Sequence, residues 1–305
     1  MKKMVLTVIL SVIAAFAADA QKSIFTESDM KAFSAVNISD EFVVTLKESE
    51  DYVLKTNIDE RIDSYVAAYV KDGVLYLNIE RKKFTPELKK ALRNVHGKNP
   101  VIEAEIWAPF LKSVIISGNA AITGSDDIKT DSFELNASDK ASVANMEVIC
   151  KTAEVKVSKG AEVDVEINAS SDLSFSSAGT SKTFINVKAN SLTLASSGSS
   201  TVEAVVDVED MKVDNSGMSN VKVVSGKTGS LMVNASGSAK FNSGDVVIPT
   251  AYMIQSGSSK SLVNVSDTLK VNLVGNSTLE FNDNPFIDLE RIVSSTLTRY
   301  SESSK

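Results

Sequence analysis

Apolar and polar residues alternate with a period of two along most of this chain. The pattern is clear at Val163, Val165 and Ile167, where acidic residues stand between the apolar positions. Such alternation is typical of β-strands that bury one face, and the valine, isoleucine, leucine and phenylalanine residues that carry it suit a pleated, half-buried surface. The alternation recurs before and after a series of short turns. Each unit of the chain is therefore predicted to contain a strand, a tight turn, a second strand and a loop.

The turns recur about every 20 residues through the second half of the chain, which is the kind of fixed period that indicates a solenoid. The turn positions are Gly118, Asp139, Lys159, Gly179, Gly198, Gly217, Gly237, Gly257 and Gly275. A two-strand unit this short cannot bury its own apolar face, and stacking of the units solves the problem. The predicted fold is therefore all-β: a parallel β-helix of about nine coils over residues 111–290, in which each strand pairs with the equivalent strands of the neighbouring coils.

Glycine at the turn position has a backbone role, because it takes positive φ at little steric cost. Seven glycines are accordingly predicted to be structural turn residues: Gly118, Gly179, Gly198, Gly217, Gly237, Gly257 and Gly275. Asp139 is a tolerable substitute, since aspartate enters the left-handed region more readily than most residues. The residue two places after each turn position is always alanine or serine. We expect a small side chain there because the next coil presses close.

Helical and leucine-rich solenoids are the main alternatives to a β-helix. Helical repeats need apolar residues at three-and-four spacing and a longer period, and leucine-rich repeats need a ladder of leucine and asparagine. The repeats have neither feature, and they are dense in serine, threonine, valine and glycine, which are poor helix formers. Both alternatives are therefore disfavoured.

Residues 21–110 are also β-rich but lack the period. Asp72-Gly73 between two apolar runs predicts a hairpin with a type I′ turn. A short helical insert is predicted over residues 85–96, with Thr85 as N-cap, Pro86 at the first helical position and Gly97 closing it. This segment is predicted to cover the first coil, because an exposed edge strand invites aggregation. At the other end, residues 291–305 are serine-rich and are predicted to form a flexible polar tail.

The N-terminus has the pattern of a secretory signal peptide. A basic start at Lys2-Lys3 precedes an apolar run and an Ala18-Asp19-Ala20 cleavage site, so residues 1–20 are predicted to be removed on export. We expect the protein in the periplasm or at the cell surface of a Gram-negative bacterium, and no other segment of the sequence could span a membrane. The formal net charge of −7 makes nucleic acid a poor candidate partner.

The sequence offers little chemistry. Cys150 is the only cysteine and is predicted to be a buried thiol, while His96 is the only histidine and is predicted to complement the helix dipole. One residue of each type does not make a zinc site. The sequence Ser225-Gly226-Lys227-Thr228 resembles the end of a phosphate-binding loop, but Val221 stands where glycine is required, so an inter-coil loop is predicted instead.

Two acidic clusters are candidates for weak calcium sites: the pair Asp126-Asp127 and the group Asp207, Glu209 and Asp210. Solvated loop charges are the favoured interpretation of both. The repeats contain no tryptophan and a single tyrosine, Tyr252, while the only tryptophan is Trp107. This argues against a dedicated sugar-cleaving groove, though not against a broad, weak contact surface. No catalytic residue, metal site or cofactor is assigned, and the ligand-binding residues are left open.

The chain resembles the DUF2807 family of exported Bacteroidetes-type proteins, described as autotransporter-adhesin heads with a GIN domain. The resemblance is carried by Phe33-x-x-Val36-x-Ile38, Phe42-x-Val44-x-Leu46, Asp72-Gly73-x-Leu75-x-Leu77, Pro109-x-Leu111-x-x-Val114-x-Ile116-Ser117-Gly118 and the Ser-Gly-x-Ser/Ala turns that follow. It covers residues 33 to about 281. The resemblance implies a right-handed β-helix without the catalytic residues of pectin-lyase folds, a suggested role in adhesion and a capacity to form a homotrimer.

The sequence is compatible with three functions. The leading hypothesis is a non-enzymatic, exported adhesion or interaction protein whose rigid surface contacts surface glycans or host matrix proteins. The second is a periplasmic envelope scaffold that recognises no external ligand. The least favoured is a polysaccharide lyase or hydrolase, which requires a cleft with at least two acids and a base within hydrogen-bond reach.

Overall fold

The computed structural model describes residues 22–93 and 100–300 of the chain. The predicted signal peptide, His96 and Gly97 lie outside these residues, as do residues 301–305. Within the described residues the protein is built almost entirely of β-strands, with one α-helix, α1, at Pro86–Arg93 and two 3-10 turns at Asp63–Tyr65 and Arg81–Lys83.

The strands form a single connected sheet system that winds through the chain. Their bounds are β1 Ser23–Asp29, β2 Ala35–Ile38, β3 Val43–Glu48, β4 Val53–Asp59, β5 Val66–Lys71, β6 Val74–Ile79, β7 Ile102–Ala108, β8 Ser113–Ile116, β9 Ala121–Ser125, β10 Ile128–Lys129, β11 Ser132–Ala137, β12 Ser142–Cys150, β13 Thr152–Val157, β14 Glu162–Ala169, β15 Asp172–Ser177, β16 Lys182–Ser196, β17 Thr201–Asn215, β18 Asn220–Ala235, β19 Lys240–Gln255, β20 Lys260–Val274, β21 Thr278–Asn282, β22 Phe286–Val293 and β23 Thr296–Arg299.

From β8 onward every strand pairs in parallel with the equivalent strand one coil away. Residues about 20 positions apart lie side by side, as in Val163 beside Thr183, which in turn lies beside Val202. The parallel β-solenoid predicted from the period is therefore confirmed. One detail differs from the prediction: in the central coils the expected strand, loop and strand merge into single strands such as β16 and β17. The ladder of backbone hydrogen bonds continues through the bend, so the separate loop disappears.

The nine predicted turn positions all have positive φ, between 62° at Lys159 and 84° at Gly275. They stack directly on one another. The backbone N–H that follows each turn position donates to the carbonyl of the turn residue one coil earlier, for example from Ser199 to Gly179 and from Met218 to Gly198, both at 2.7 Å. A Cβ at Gly217 would lie 2.8 Å from the carbonyl oxygen of Gly198. Glycine is therefore required at such corners both for its conformation and for the close approach of the coils.

The corner ladder is longer than predicted at both ends. Asp40, with φ of 66°, lies below Gly118, and Ser294, with φ of 54°, continues the series above Gly275. The predicted start of the column at residue 111 is therefore too late, because β2 and β3 form a coil of the same column around Asp40. The structure also differs from the predicted flexible tail: β22 extends to Val293 and β23 pairs with β21. The eleven corners found in residues 22–93 and 100–300 give a column about 50 Å long at the usual strand spacing.

Alternate residues of each strand fill the interior of the column. Phe175 and Phe241 are fully buried, as are most of the valine, leucine and isoleucine residues of the repeats. Several small residues two places after the corner are buried serines whose hydroxyls are bonded. Ser200 donates through Oγ to the carbonyl of Ser197 at 2.8 Å, and Ser181 makes the equivalent bond to Ala178 at 3.0 Å. These serines close the turn as well as leaving room for the next coil.

Residues 49–93 and 100–107 cover the N-terminal end of the column. The predicted hairpin is present, since β5 and β6 pair antiparallel across Asp72-Gly73. The predicted N-cap is also confirmed, because Thr85 Oγ1 accepts the backbone N–H of Leu88 at 3.2 Å. Leu88 and Leu92 of α1 pack against the core. Within the described residues, no helix has the length and apolarity needed to cross a bilayer.

Candidate functional site

An open groove lies on the outer face of the sheet near the N-terminal end of the column. Neighbouring strands follow the order β1, β4, β7, β3 and β9, with β1, β4 and β7 antiparallel in turn and the rest parallel. Residues of these strands, most of them on the outward face, line a cavity of about 360 Å³. The lining residues are Phe25, Val43, Thr45, Lys55, Thr56, Asn57, Glu103, Ala104, Glu105 and Thr123. We call this set, together with the adjoining Trp107, the outer groove.

Strand register brings the groove side chains into rows. In one row Phe25 of β1 lies opposite Asn57 of β4, and Asn57 lies opposite Glu103 of β7. Glu103 is in turn beside Val43 of β3. Phe25 is 57% exposed and Val43 is 41% exposed, so the row ends in apolar surface on both sides of a polar centre. The arrangement offers a ligand both apolar contact and hydrogen bonding.

Asn57 is the most informative polar residue in the groove. Its Nδ2 donates to Glu103 Oε2 at 2.9 Å, whereas its Oδ1 is buried and accepts no hydrogen bond from any described residue. A buried acceptor without a partner costs free energy on the order of 1–3 kcal/mol.

Trp107 is held at the edge of the groove by two charged neighbours. Lys55 Nζ lies 4.9 Å from the centroid of the indole ring, and Trp107 Nε1 donates to Glu105 Oε2 at 3.1 Å. Lys55 also lies 3.5 Å from the Glu27 carboxylate. The indole is therefore fixed in orientation by a cation–π contact and a charge-assisted hydrogen bond.

The acidic residues considered from the sequence as calcium ligands lie outside the outer groove, and the structure does not bring them together. Asp126 accepts the backbone N–H of Glu48 at 3.0 Å and pairs with Lys47 at 3.3 Å. The pKa of Asp126 is lowered, chiefly by the bond from Glu48. Asp207 pairs with Lys227 at 3.2 Å, and Asp210 accepts the hydroxyl of Ser230 at 2.5 Å. Among the described residues, no group of three or more His, Cys, Asp or Glu side chains could hold a metal ion.

Cys150 is buried at the end of β12, as predicted. Burial removes the thiol from water and raises its pKa to about 11. Since the thiolate is the reactive form, we expect a disulfide reagent at pH 8 to react at least about 100-fold more slowly with the native protein than with the protein in urea. The absorbance of the released thiol measures both rates, with Cys150→Ala as the blank. Equal rates in the two conditions would contradict the burial of this thiol.

Sequence reasoning missed the outer groove. The alternation of Glu103, Glu105 and Trp107 does indicate the outward face of one strand. The sequence does not reveal that β4 and β1 pair beside that strand, because both run antiparallel to their neighbours within a segment that has no repeat.

Comparisons with known proteins now identify the family. Residues 32–171 and 154–285 match the family DUF2807, described as "Putative auto-transporter adhesin, head GIN domain". The chain belongs to the DUF2807 family. The two matched ranges together run from the first coil to the start of the last one, so they contain nearly the whole column. No curated protein matches the chain.

Solved structures of similar fold cover 92% of this chain. A putative lipid binding protein from Parabacteroides distasonis is 14% identical with a TM-score of 0.52, and 97% of that chain is covered. A putative adhesin from the same species is 14% identical with a TM-score of 0.51 and 97% of its chain covered. A putative adhesin from Parabacteroides merdae is 15% identical with a TM-score of 0.44, again with 97% covered. At 14% identity, the likeness to the two Parabacteroides distasonis structures concerns the fold alone.

Proposed function

We propose that this DUF2807 protein is an exported, non-enzymatic adhesion protein and that the outer groove contacts the saccharides of a cell surface. The observation that carries the proposal is the row of Phe25, Asn57 and Glu103 beside an oriented Trp107. Aromatic rings pack against the apolar faces of sugar rings, while amide and carboxylate groups bond to sugar hydroxyls. Because the column beneath the groove is rigid, these side chains do not have to become ordered when a ligand binds.

A wide, shallow site suits adhesion better than catalysis. The carboxylate of Glu103 accepts a hydrogen bond from the amide of Asn57, and that of Glu105 accepts one from the indole of Trp107. A hydrolase instead requires two acids facing one bond, with at least one of them free to donate a proton. The family description and the names of the similar structures, which include adhesins, also support an adhesion role.

Intrinsic fluorescence provides a direct test, because Trp107 is the only tryptophan of the chain. A saccharide selected on a broad glycan array is expected to change the Trp107 emission in a saturable titration. Phe25→Ala is expected to weaken binding about tenfold, the usual order for loss of one aromatic contact. Phe184→Ala is the matched control, because Phe184 is also exposed but lies on a central coil.

The periplasmic scaffold is the outcome that opposes this proposal. It predicts an empty glycan array and a mature protein that resists protease treatment of intact cells. If Phe25→Ala bound the saccharide as tightly as the wild type, the saccharide would have to bind at a surface other than the outer groove.

A further inference from the structure

The C-terminal end of the column is uncovered in the described residues, unlike the N-terminal end. There β22 pairs only with β20, and β23 pairs only with β21, so each presents a free backbone edge. Inward-facing residues of this last coil are exposed where their counterparts one coil earlier are not. Leu289 is 54% exposed above the fully buried Val271, and Ile292 is 36% exposed above the fully buried Leu273.

Outward-facing residues of β22 add to this apolar surface. Phe286 is 72% exposed and Val293 is 45% exposed. Free edges with exposed apolar side chains favour pairing with another strand. The structure therefore presents one end that would become buried if something stacked on it.

A bulge gives β22 an unusual symmetry. The register between β20 and β22 shifts between Val271 and Asn272, so Glu290 is an extra residue in β22. As a result Asp288 and Arg291 both occupy outward positions, opposite Lys270 and Asn272. Ile287 and Ile292 both occupy inward positions, opposite Leu269 and Leu273. The two isoleucines therefore lie on the same face at equal distances from the centre of β22. Asp288 and Arg291 also share one face at equal distances from the centre, but they carry opposite charges.

We propose that β22 pairs antiparallel with β22 of a second copy of this chain, forming an end-to-end dimer about a two-fold axis. In the register centred between Leu289 and Glu290, Asp288 lies opposite Arg291 of the second copy. Ile287 lies opposite Ile292 of the second copy, and Phe286 lies opposite Val293. Directly opposite residues of opposite charge, and apolar pairs, stabilise antiparallel strands. A two-fold axis repeats each contact, which makes the interface self-complementary.

Glu290 lies at the centre of this register, but its side chain is held against its own column. Glu290 accepts the hydroxyl of Tyr252 at 2.8 Å and pairs with Lys270 Nζ at 2.7 Å. Hydrogen bonding from Lys270 and Tyr252 lowers the pKa of Glu290. This contact fastens the last coil to the two coils before it, so the edge is presented as an ordered strand.

Charge exchange tests the register. We expect the wild-type chain to form dimers with a dissociation constant on the order of 10 µM, as suits a small interface. Asp288→Arg and Arg291→Asp each place like charges opposite one another twice, and each is expected to raise the dissociation constant at least tenfold. Sedimentation equilibrium across about 1 to 200 µM measures these constants.

Restoration by complementary charges is the decisive result. Mixing the two single variants is expected to give a heterodimer, because each new charge then lies opposite a residue of the other sign. The double variant D288R/R291D is expected to dimerise like the wild type, because both charges of each pair are exchanged. The control exchange E162K/K182E alters an exposed ion pair on the outer face of a middle coil and is expected to leave association unchanged. A wild-type chain that is monomeric throughout this range, a trimer, or single variants that associate normally would each overturn the proposal.

Discussion

Replacing Gly226 with alanine is expected to destabilise the protein by about 3 kcal/mol or more, since strained backbone and a steric clash act together at this position. Gly226 has φ of 113°, a conformation that L side chains rarely adopt. A Cβ there would lie 1.8 Å from the carbonyl oxygen of Val206, which belongs to the coil below. Val206 is held from the other side by its pairing with Val187 of β16, so β17 cannot withdraw from a new side chain at position 226.

The close approach at Gly226 has a local cause. The register between β17 and β18 shifts between Ala204 and Val205, so β18 carries one extra residue just before Gly226. A bulge bends its strand, and glycine within a strand often marks a place where another backbone approaches closely. The inter-coil loop predicted for Ser225-Gly226-Lys227-Thr228 is wrong for the same reason: these residues lie inside β18, and the bulge absorbs the irregular sequence.

Gly124 provides the matched control for this substitution. It also lies in a strand, its φ is outside the positive range, and a Cβ there would meet no atom within 4 Å. We expect Gly124→Ala to change stability by less than about 0.5 kcal/mol. Urea denaturation followed by circular dichroism compares the two variants. Equal midpoints would show that the column relaxes around Gly226.

The corners of the column could be predicted from sequence because their requirement is local. Positive φ selects glycine, and a close neighbour selects alanine or serine two residues later, so both signals recur at each coil. Asp40 and Ser294 were missed because neither is glycine and because residues 49–107 interrupt the period after Asp40. The tail prediction failed similarly: serine-rich composition suggested a mobile segment, whereas β23 pairs with β21 through its backbone, which composition does not report.

The outer groove could not be predicted because it depends on which strands become neighbours. Phe25, Asn57 and Glu103 come from β1, β4 and β7, whose antiparallel pairing leaves no periodic trace in the sequence. The symmetry of β22 was hidden for a related reason. Strict alternation along β22 would place Asp288 and Arg291 on opposite faces. The bulge at Glu290 places them on the same face, and the sequence does not reveal that bulge.

The two proposals have a joint consequence for adhesion. An end-to-end dimer would place the two outer grooves at the far ends of a double-length column, about 100 Å apart at the usual strand spacing. Two weak saccharide contacts held at a fixed separation bind a dense surface more tightly than one, because the second contact is intramolecular. Loss of dimerisation in Asp288→Arg is therefore expected to weaken attachment to a surface while leaving the affinity for a free saccharide unchanged.

Replacing Phe241 with alanine is expected to cost about 3–5 kcal/mol, the usual range for a fully buried phenylalanine. Phe241 lies between Val221 in the coil below and Ser261 in the coil above, and it is 2% exposed. Ser261 is small and accepts a hydrogen bond from Gln255, so no larger neighbour can move into the space. The backbone ladder holds adjacent coils at a fixed separation, and the cavity is therefore expected to persist.

Two comparisons make the Phe241 prediction specific. Phe184→Ala removes the same side chain from an outward position that is 39% exposed, and we expect a loss below about 1 kcal/mol. Phe241→Leu keeps most of the volume and is expected to cost about 1.5 kcal/mol or less. Urea denaturation gives the global effect, and hydrogen exchange of the β19 amides shows whether the loss is centred on that coil. If Phe241→Ala and Phe184→Ala destabilised the protein equally, the interior of the column would not be packed around Phe241, because an interior phenylalanine contributes more to stability than one on the solvent face.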